Sequence, residues 1–233
     1  MFFPEFNEGR ARYERKFVVE DMSYHDVEQQ IRIHPSAFSP IFHPRHINNI
    51  YLDTHELDFY HENVMGKGSR KKARVRWYND QTGHIENPVL EFKVREGMLG
   101  DKLSFRLKPF RFDQQFTYDV LLESFGFSEL PAWAMEVLRQ LKPSLLNRYR
   151  RQYFASFDGH FRITLDDELG YYAIGPNNNS YLNHYLNDQV IVELKYERHL
   201  DDRVAQVTNR LPFRLTKSSK YVNGIDYLHP MLT

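Results

Sequence analysis

The sequence predicts an α+β protein organised around an antiparallel β-barrel or sandwich, and three observations carry that prediction. Eight short strand-like runs follow one another, most with little helix between them. The 15 tyrosines and 18 phenylalanines are spread along the chain, which suits a large sheet whose strands favour aromatic and β-branched residues. Charges alternate along several runs, so those strands carry two chemically distinct faces.

The elements follow in order. "RYERKFVVE" (12–20) places Arg12, Glu14 and Lys16 on one face and Tyr13, Arg15 and Phe17 on the other. "SYHDVEQQIRIHP" reads as a helix capped by Ser23. "INNIYLDT" (47–54) is a strand, and "GKGSRKK" (66–72) a basic turn that lacks the spacing of a phosphate-binding loop. In "KARVRWYN" (72–79), Lys72, Arg74 and Arg76 share a face opposite Ala73, Val75 and Trp77, and Arg70 is expected outside that face. "PVLEFKVREG" (88–97) aligns Glu91, Lys93 and Arg95, and "KLSFRLKP" (102–109) follows as a strand. "FTYDVLLESFG" and "LPAWAMEVLRQLKP" form a helical pair ending before Pro143. "NRYRRQYFAS" (147–156) and "FRITLDDEL" (161–169) are strands, with "LDDEL" read as a turn after the second. Residues 172–188 read as a loop. "QVIVELKYE" (189–197) aligns Glu193, Lys195 and Glu197, and "DDRVAQVTNRLP" reads as a helix capped by Asp201.

Composition narrows the function classes. Without cysteine, disulfides, thiolate metal sites and a cysteine nucleophile are excluded. Lys+Arg and Asp+Glu both number 31, so no global field draws the chain to nucleic acid, and an anion site must be local. No stretch approaches the roughly 18 continuous apolar residues of a membrane-spanning helix. The start lacks the pattern of a secretory signal, and a cytoplasmic location is expected. The 233 residues hold no linker-like tract and read as one domain, 1–233. "HPRH" and "HELDFYH" match no zinc signature, and their histidines read as structural.

Closing the sheet on itself turns its charged face into a lining. Small barrels ordinarily fill their interior with apolar side chains. A lining of Lys and Arg with a few Glu must be wet and needs counter-ions. Phosphate oxygens suit Arg forks and Lys ammoniums, and the glutamates can hold a divalent metal that bridges them.

The runs "YERKFVV", "IYLDT", "ARVRWY", "LEFKVREG", "YRRQYF", "RITLDDEL", "VIVELKY" and "KSSKYVNGI" resemble, in order and spacing, the VTC domain. This is a polyphosphate polymerase domain of the triphosphate tunnel metalloenzyme superfamily. The resemblance covers about residue 10 to 228 and implies an eight-stranded antiparallel β-barrel tunnel with flanking helices. It implies transfer of the ATP γ-phosphate to a growing inorganic polyphosphate chain, with Mn²⁺ or Mg²⁺ as cofactor. By motif it implies phosphate-handling roles for Lys16, Arg74, Arg76, Lys93, Arg151 and Arg162. Tyr149, Lys195, Lys217, Ser219 and Lys220 are implied in substrate binding, and Glu193 in metal binding. Arg151 is aligned in preference to Arg150, which would face outward. Arg12 departs from the Glu-x-Glu-x-Lys start of the hydrolase branch. Hydrolysis of triphosphates, with Glu14 or Glu91 as base, and a non-catalytic polyphosphate sensor are the alternatives.

Overall fold

The computed structural model describes residues 11–174 and 184–232, together with Asn7 and Gly9. In chain order its elements are β1 (Arg12–Val19), α1 (Tyr24–Arg32), β2 (Ser39–Asp53), α2 (Asp58–Val64), β3 (Ser69–Tyr78) and β4 (Gly83–Ile85). There follow β5 (Val89–Glu96), β6 (Leu99–Arg106), β7 (Phe110–Phe112), α3 (Tyr118–Phe127), α4 (Ala132–Leu138), β8 (Lys142–Ala155) and β9 (Phe161–Tyr172). The chain ends with β10 (His184–Asn187), β11 (Val190–Glu197), α5 (Val204–Thr208) and α6 (Lys220–Leu228).

Eight strands close into an antiparallel ring in the order β1, β11, β9, β8, β2, β3, β5, β6, with β10 added beside β9. Among the described residues, closure between β1 and β6 rests on Arg12 opposite Gly100 and Tyr13 opposite Leu99. Farther along, residues 215–216 cover the edge of β1: Thr216 donates its backbone N–H to the Lys16 carbonyl and accepts from the Val18 N–H at its hydroxyl.

The apolar side chains face outward, and helices cover them. Val27 and Ile31 of α1, with Val204 and Val207 of α5, pack on Phe17, Ile163, Leu165, Val192 and Leu194. Leu121 and Phe125 of α3 and Val137 of α4 join the outer face of β3 and β5, including Val75, Trp77, Leu90 and Phe92. α1 starts with a full capping box, Ser23 bonding the Asp26 N–H while Asp26 bonds back to the Ser23 N–H.

One end of the ring is floored by α6. Tyr221 stacks on Tyr51 at 4.9 Å between ring centres, and Ile225 and Leu228 join the same apolar cluster as Leu145 and Tyr171. Gly224 permits this approach, because a Cβ there would lie 2.5 Å from Leu145 Cδ2 and 2.6 Å from Tyr171 Cδ1. Asp53, at the end of β2, accepts the Tyr221 hydroxyl and the N–H groups of Phe59 and Tyr60, tying the floor to the first turn of α2.

Five expectations are corrected. β2 begins at Ser39, with register shifts between Pro40 and Phe42 and between Phe42 and Arg45 that let its prolines sit within the strand. The 172–188 stretch contains β10. "LDDEL" lies inside β9: Glu168 takes φ +51° at a bulge, where Arg148 pairs Gly170 but Arg150 pairs Asp167. Asp201 caps no helix; it accepts from the Tyr196 hydroxyl and from Arg15. Arg70 has the same strand parity as Arg74, and it sits at the far end of β3 with its guanidinium on the Gly97 carbonyl. α2 and α6 are helices that the sequence did not suggest.

Candidate active site

The inward faces of the ring carry the charges. Antiparallel register sets Lys16 opposite Glu193, Glu14 opposite Lys195, and Arg74 opposite Glu91. Directly opposed residues share a face, so all six lie on the lining.

Glu91 is the densest junction. It accepts from Arg74 Nε at 2.7 Å and Lys102 Nζ at 2.6 Å, with Arg76 at 3.5 Å. Burial would raise its pKa, but Arg74, Arg76 and Lys102 together hold it well below the ordinary carboxylate value. Arg76 also donates to Asn49 Oδ1 at 3.0 Å. Lys93 bonds both oxygens of Glu14, at 2.7 and 2.6 Å. Burial pushes that carboxyl up, yet Lys93, then Lys195 and Lys16, hold it down at about 2.

Glu193 faces Lys195 at 3.0 Å, Lys16 at 3.5 Å and Arg151 at 3.9 Å. Its carboxyl is also held well down against the effect of burial, chiefly by Lys195 and Lys16. Arg151 forms a bidentate pair with Asp166, whose second oxygen also accepts from Lys220 at 2.6 Å. Tyr149 lies beneath both cations, 5.1 Å from the Arg151 guanidinium and 4.6 Å from Lys220 Nζ. Arg150 points the other way, pairing with Asp167 and stacking on Tyr24 at 4.4 Å.

Lys72 is the exception. Its Nζ donates to Ser219 Oγ at 2.7 Å, and no carboxylate pairs with it among the described residues. Burial, then Lys16, Lys93 and Arg74, drive its pKa well below the ordinary lysine value. Ser219 also caps α6, so the floor helix and this lysine share one hydroxyl.

The ring thus gathers Lys16, Arg74, Arg76, Lys93, Tyr149, Arg151, Glu193, Lys195, Ser219 and Lys220 around one charged interior. Arg162 lies at the rim, exposed, in a cavity of about 250 Å³ shared with Arg12, His160, Lys195 and His199. Lys217 is exposed. Sequence reasoning missed Lys102, Asn49 and the structural part of Asp166. Lys102 was legible from the alternation of "KLSFR"; Asp166 shares the parity of Arg162 and was obscured by reading "LDDEL" as a turn.

Among the described residues no three of His, Asp and Glu gather into a metal cluster. Glu193 and Glu14 are already engaged by lysines, so the donor set suits a hard ion that takes one carboxylate and draws its other ligands from phosphate oxygens and water. No helix is long and apolar enough to cross a membrane.

The comparisons agree with the geometry. A protein from Pyrococcus horikoshii OT3 superposes with a TM-score of 0.50 at 14% identity, over 94% of this chain and 99% of its own. A putative adenylate cyclase from Vibrio parahaemolyticus gives 0.50 at 13% identity, over 92% and 98%. A putative adenylyl cyclase from Hippeastrum, described as having a dominant triphosphatase activity, gives 0.51 at 13% identity, over 92% and 94%. At these identities the likeness is one of fold, the triphosphate tunnel. No curated protein matches. The VTC domain model matches residues 11–229, nearly the whole chain, and this protein belongs to the VTC domain family.

Proposed function

We propose that this protein is a metal-dependent phosphotransferase that moves the γ-phosphate of ATP onto the end of an inorganic polyphosphate chain held in the tunnel. One observation supports transfer to phosphate over transfer to water. Each lining carboxylate, Glu14, Glu91, Asp166 and Glu193, is clamped by cations and has its pKa lowered. A carboxylate held at about 2, like that of Glu14, is a poor proton acceptor. The terminal phosphate of a polyphosphate chain arrives ionised and asks for no base.

Each residue then has a physical task. Arg74 and Arg76, oriented by Glu91 and Asn49, present forks to the phosphate oxygens of the donor. Lys93, Lys16 and Lys195 stabilise charge on the transferring group and give up part of their contact with Glu14 and Glu193 as phosphate binds. Arg151 and Lys220, braced by Asp166 over Tyr149, align the acceptor. Arg162 offers a first contact at the rim. Glu193 is the carboxylate assigned to Mn²⁺ or Mg²⁺, whose charge would offset repulsion between donor and acceptor phosphates.

The test is incubation of pure protein with ATP and Mn²⁺ or Mg²⁺, followed by gel analysis of phosphate polymer beside an assay of free phosphate. Polymer with little free phosphate is the expected result. Free phosphate alone assigns the protein to triphosphate hydrolysis, the activity ascribed to the Hippeastrum relative. Polyphosphate binding with neither product assigns it to sensing.

A further inference from the structure

At the strand ends opposite α6 the lining changes from charged to aromatic. Arg45 of β2 lies opposite Arg151 of β8 and therefore faces inward. Its guanidinium carbon is 4.7 Å from the centre of the Tyr78 ring, 5.1 Å from Tyr153 and 5.3 Å from Phe42. Phe42 meets Tyr153 edge to face at 5.6 Å. These rings are not core: Phe42 is 55% exposed and Tyr78 39% exposed. Arg45 is held by ring faces, and its Nε is buried without a hydrogen-bond partner among the described residues.

The cluster is contiguous with the phosphate-handling residues. Tyr78 is two residues past Arg76 on β3, and Tyr153 two past Arg151 on β8, a strand rise of about 7 Å in each case. The Arg151 guanidinium lies 5.8 Å from the Tyr153 ring, so Tyr153 sits between Arg151 inside and Arg45 outside. A phosphate chain has no π face and nothing to gain from exposed rings. A nucleoside triphosphate whose phosphates lie on Arg74 and Arg76 carries its base outward along β3 by about the length of a ribose, to the level of these rings.

Resting on ATP as the phosphoryl donor, we propose that Phe42, Tyr78 and the Arg45 guanidinium form a nucleobase platform at the tunnel mouth that distinguishes a nucleoside triphosphate from bare tripolyphosphate. The base stacks on the exposed ring faces and the planar guanidinium.

The experiment is calorimetric titration of ATP and of inorganic tripolyphosphate into the wild type, Tyr78→Phe, Tyr78→Ala and Phe42→Ala/Tyr78→Ala. The wild type should bind ATP more tightly than tripolyphosphate. The double variant should lose about 5- to 100-fold in ATP affinity and keep its tripolyphosphate affinity, while Tyr78→Phe stays near wild type on both. Unchanged tripolyphosphate binding also shows that the tunnel remains folded. Equal wild-type affinity for the two ligands overturns the platform, as does a parallel loss of both or an unchanged ATP affinity in the double variant. These outcomes leave polymer formation to be judged on the gel. Conversely, a wild type that prefers ATP through these rings but makes no polymer keeps the platform and removes the polymerase reading. Failure to bind either triphosphate overturns both.

Discussion

Replacing Glu91 by Gln separates the stability of this tunnel from its affinity for anions. Glu91 is 4% exposed and is the acid shared by Arg74, Lys102 and Arg76. Removing one partner of a buried ion pair costs about 3–5 kcal/mol, because the remaining charge is left without compensation. Glutamine keeps the volume and one acceptor, which sets the expectation at the lower end, about 3 kcal/mol. For a chain of this size each kcal/mol moves Tm by about 2–4 °C, so the ligand-free variant should melt roughly 6–12 °C below wild type. The freed cations should bind phosphate more tightly, and a ligand at a hundred times its Kd returns about 2.7 kcal/mol. Scanning calorimetry with and without tripolyphosphate is the assay. The variant should lose stability alone and gain more from the ligand than wild type does. An unchanged Tm, or a ligand-induced gain no larger than that of wild type, refutes the claim that Glu91 stands in for phosphate among these cations.

Three further outcomes are expected. Arg151→Ala should lower polymer formation by at least about a hundredfold, the usual cost of removing a charge stabiliser, while Arg150→Ala, on the outer face, changes it little. Similar losses in the two variants, measured as initial rates, would mean that the β8 register carries no functional information. Lys72 is depressed in the folded chain, so the unfolded chain binds more protons between that depressed value and the ordinary 10.5, and stability rises with pH across this window. Phosphate reverses the effect, so tripolyphosphate binding should take up a proton and weaken as pH rises; calorimetry in buffers of different ionisation enthalpy reads this, and proton release would contradict it. Gly224→Ala should destabilise by about 1–3 kcal/mol through overpacking against Leu145 and Tyr171, seen as a lower denaturation midpoint; an unchanged midpoint would mean that α6 is not seated as a floor.

All eight ring strands were readable because alternation of period two survives wherever a strand has one greasy and one charged face. What resisted reading had a local cause. The first half of β2 holds Pro40 and Pro44, and its bulges break the alternation. Ordinary alternation along β9 makes Asp166 face Arg151 while Asp167 faces Arg150, but the acid pair followed by the bulge at Glu168 looks like a turn in one dimension. α6 is short, and its Gly224 is a poor helix former that packing requires. The inward cations were legible from parity alone; their partners were not, because Lys93 reaches Glu14 across the short β1 to β6 closure, which no local pattern reports.

The same register explains the surroundings of Lys72. Across β3, β5 and β6 it sets Lys72 opposite Lys93 and Lys93 opposite Lys102, a row of like charges that directly opposed side chains in a sheet ordinarily avoid. Two members escape by leaning along the lining, Lys93 to Glu14 and Lys102 to Glu91. Among the described residues Lys72 finds the Ser219 hydroxyl and no carboxylate, and burial followed by the neighbouring cations depresses its pKa. An ordinary barrel would place a leucine there. An anion beside Lys16, Lys93 and Arg74 would stabilise a cation at that position, so on the proposed function Lys72 is a point at which phosphate binding should contribute to stability.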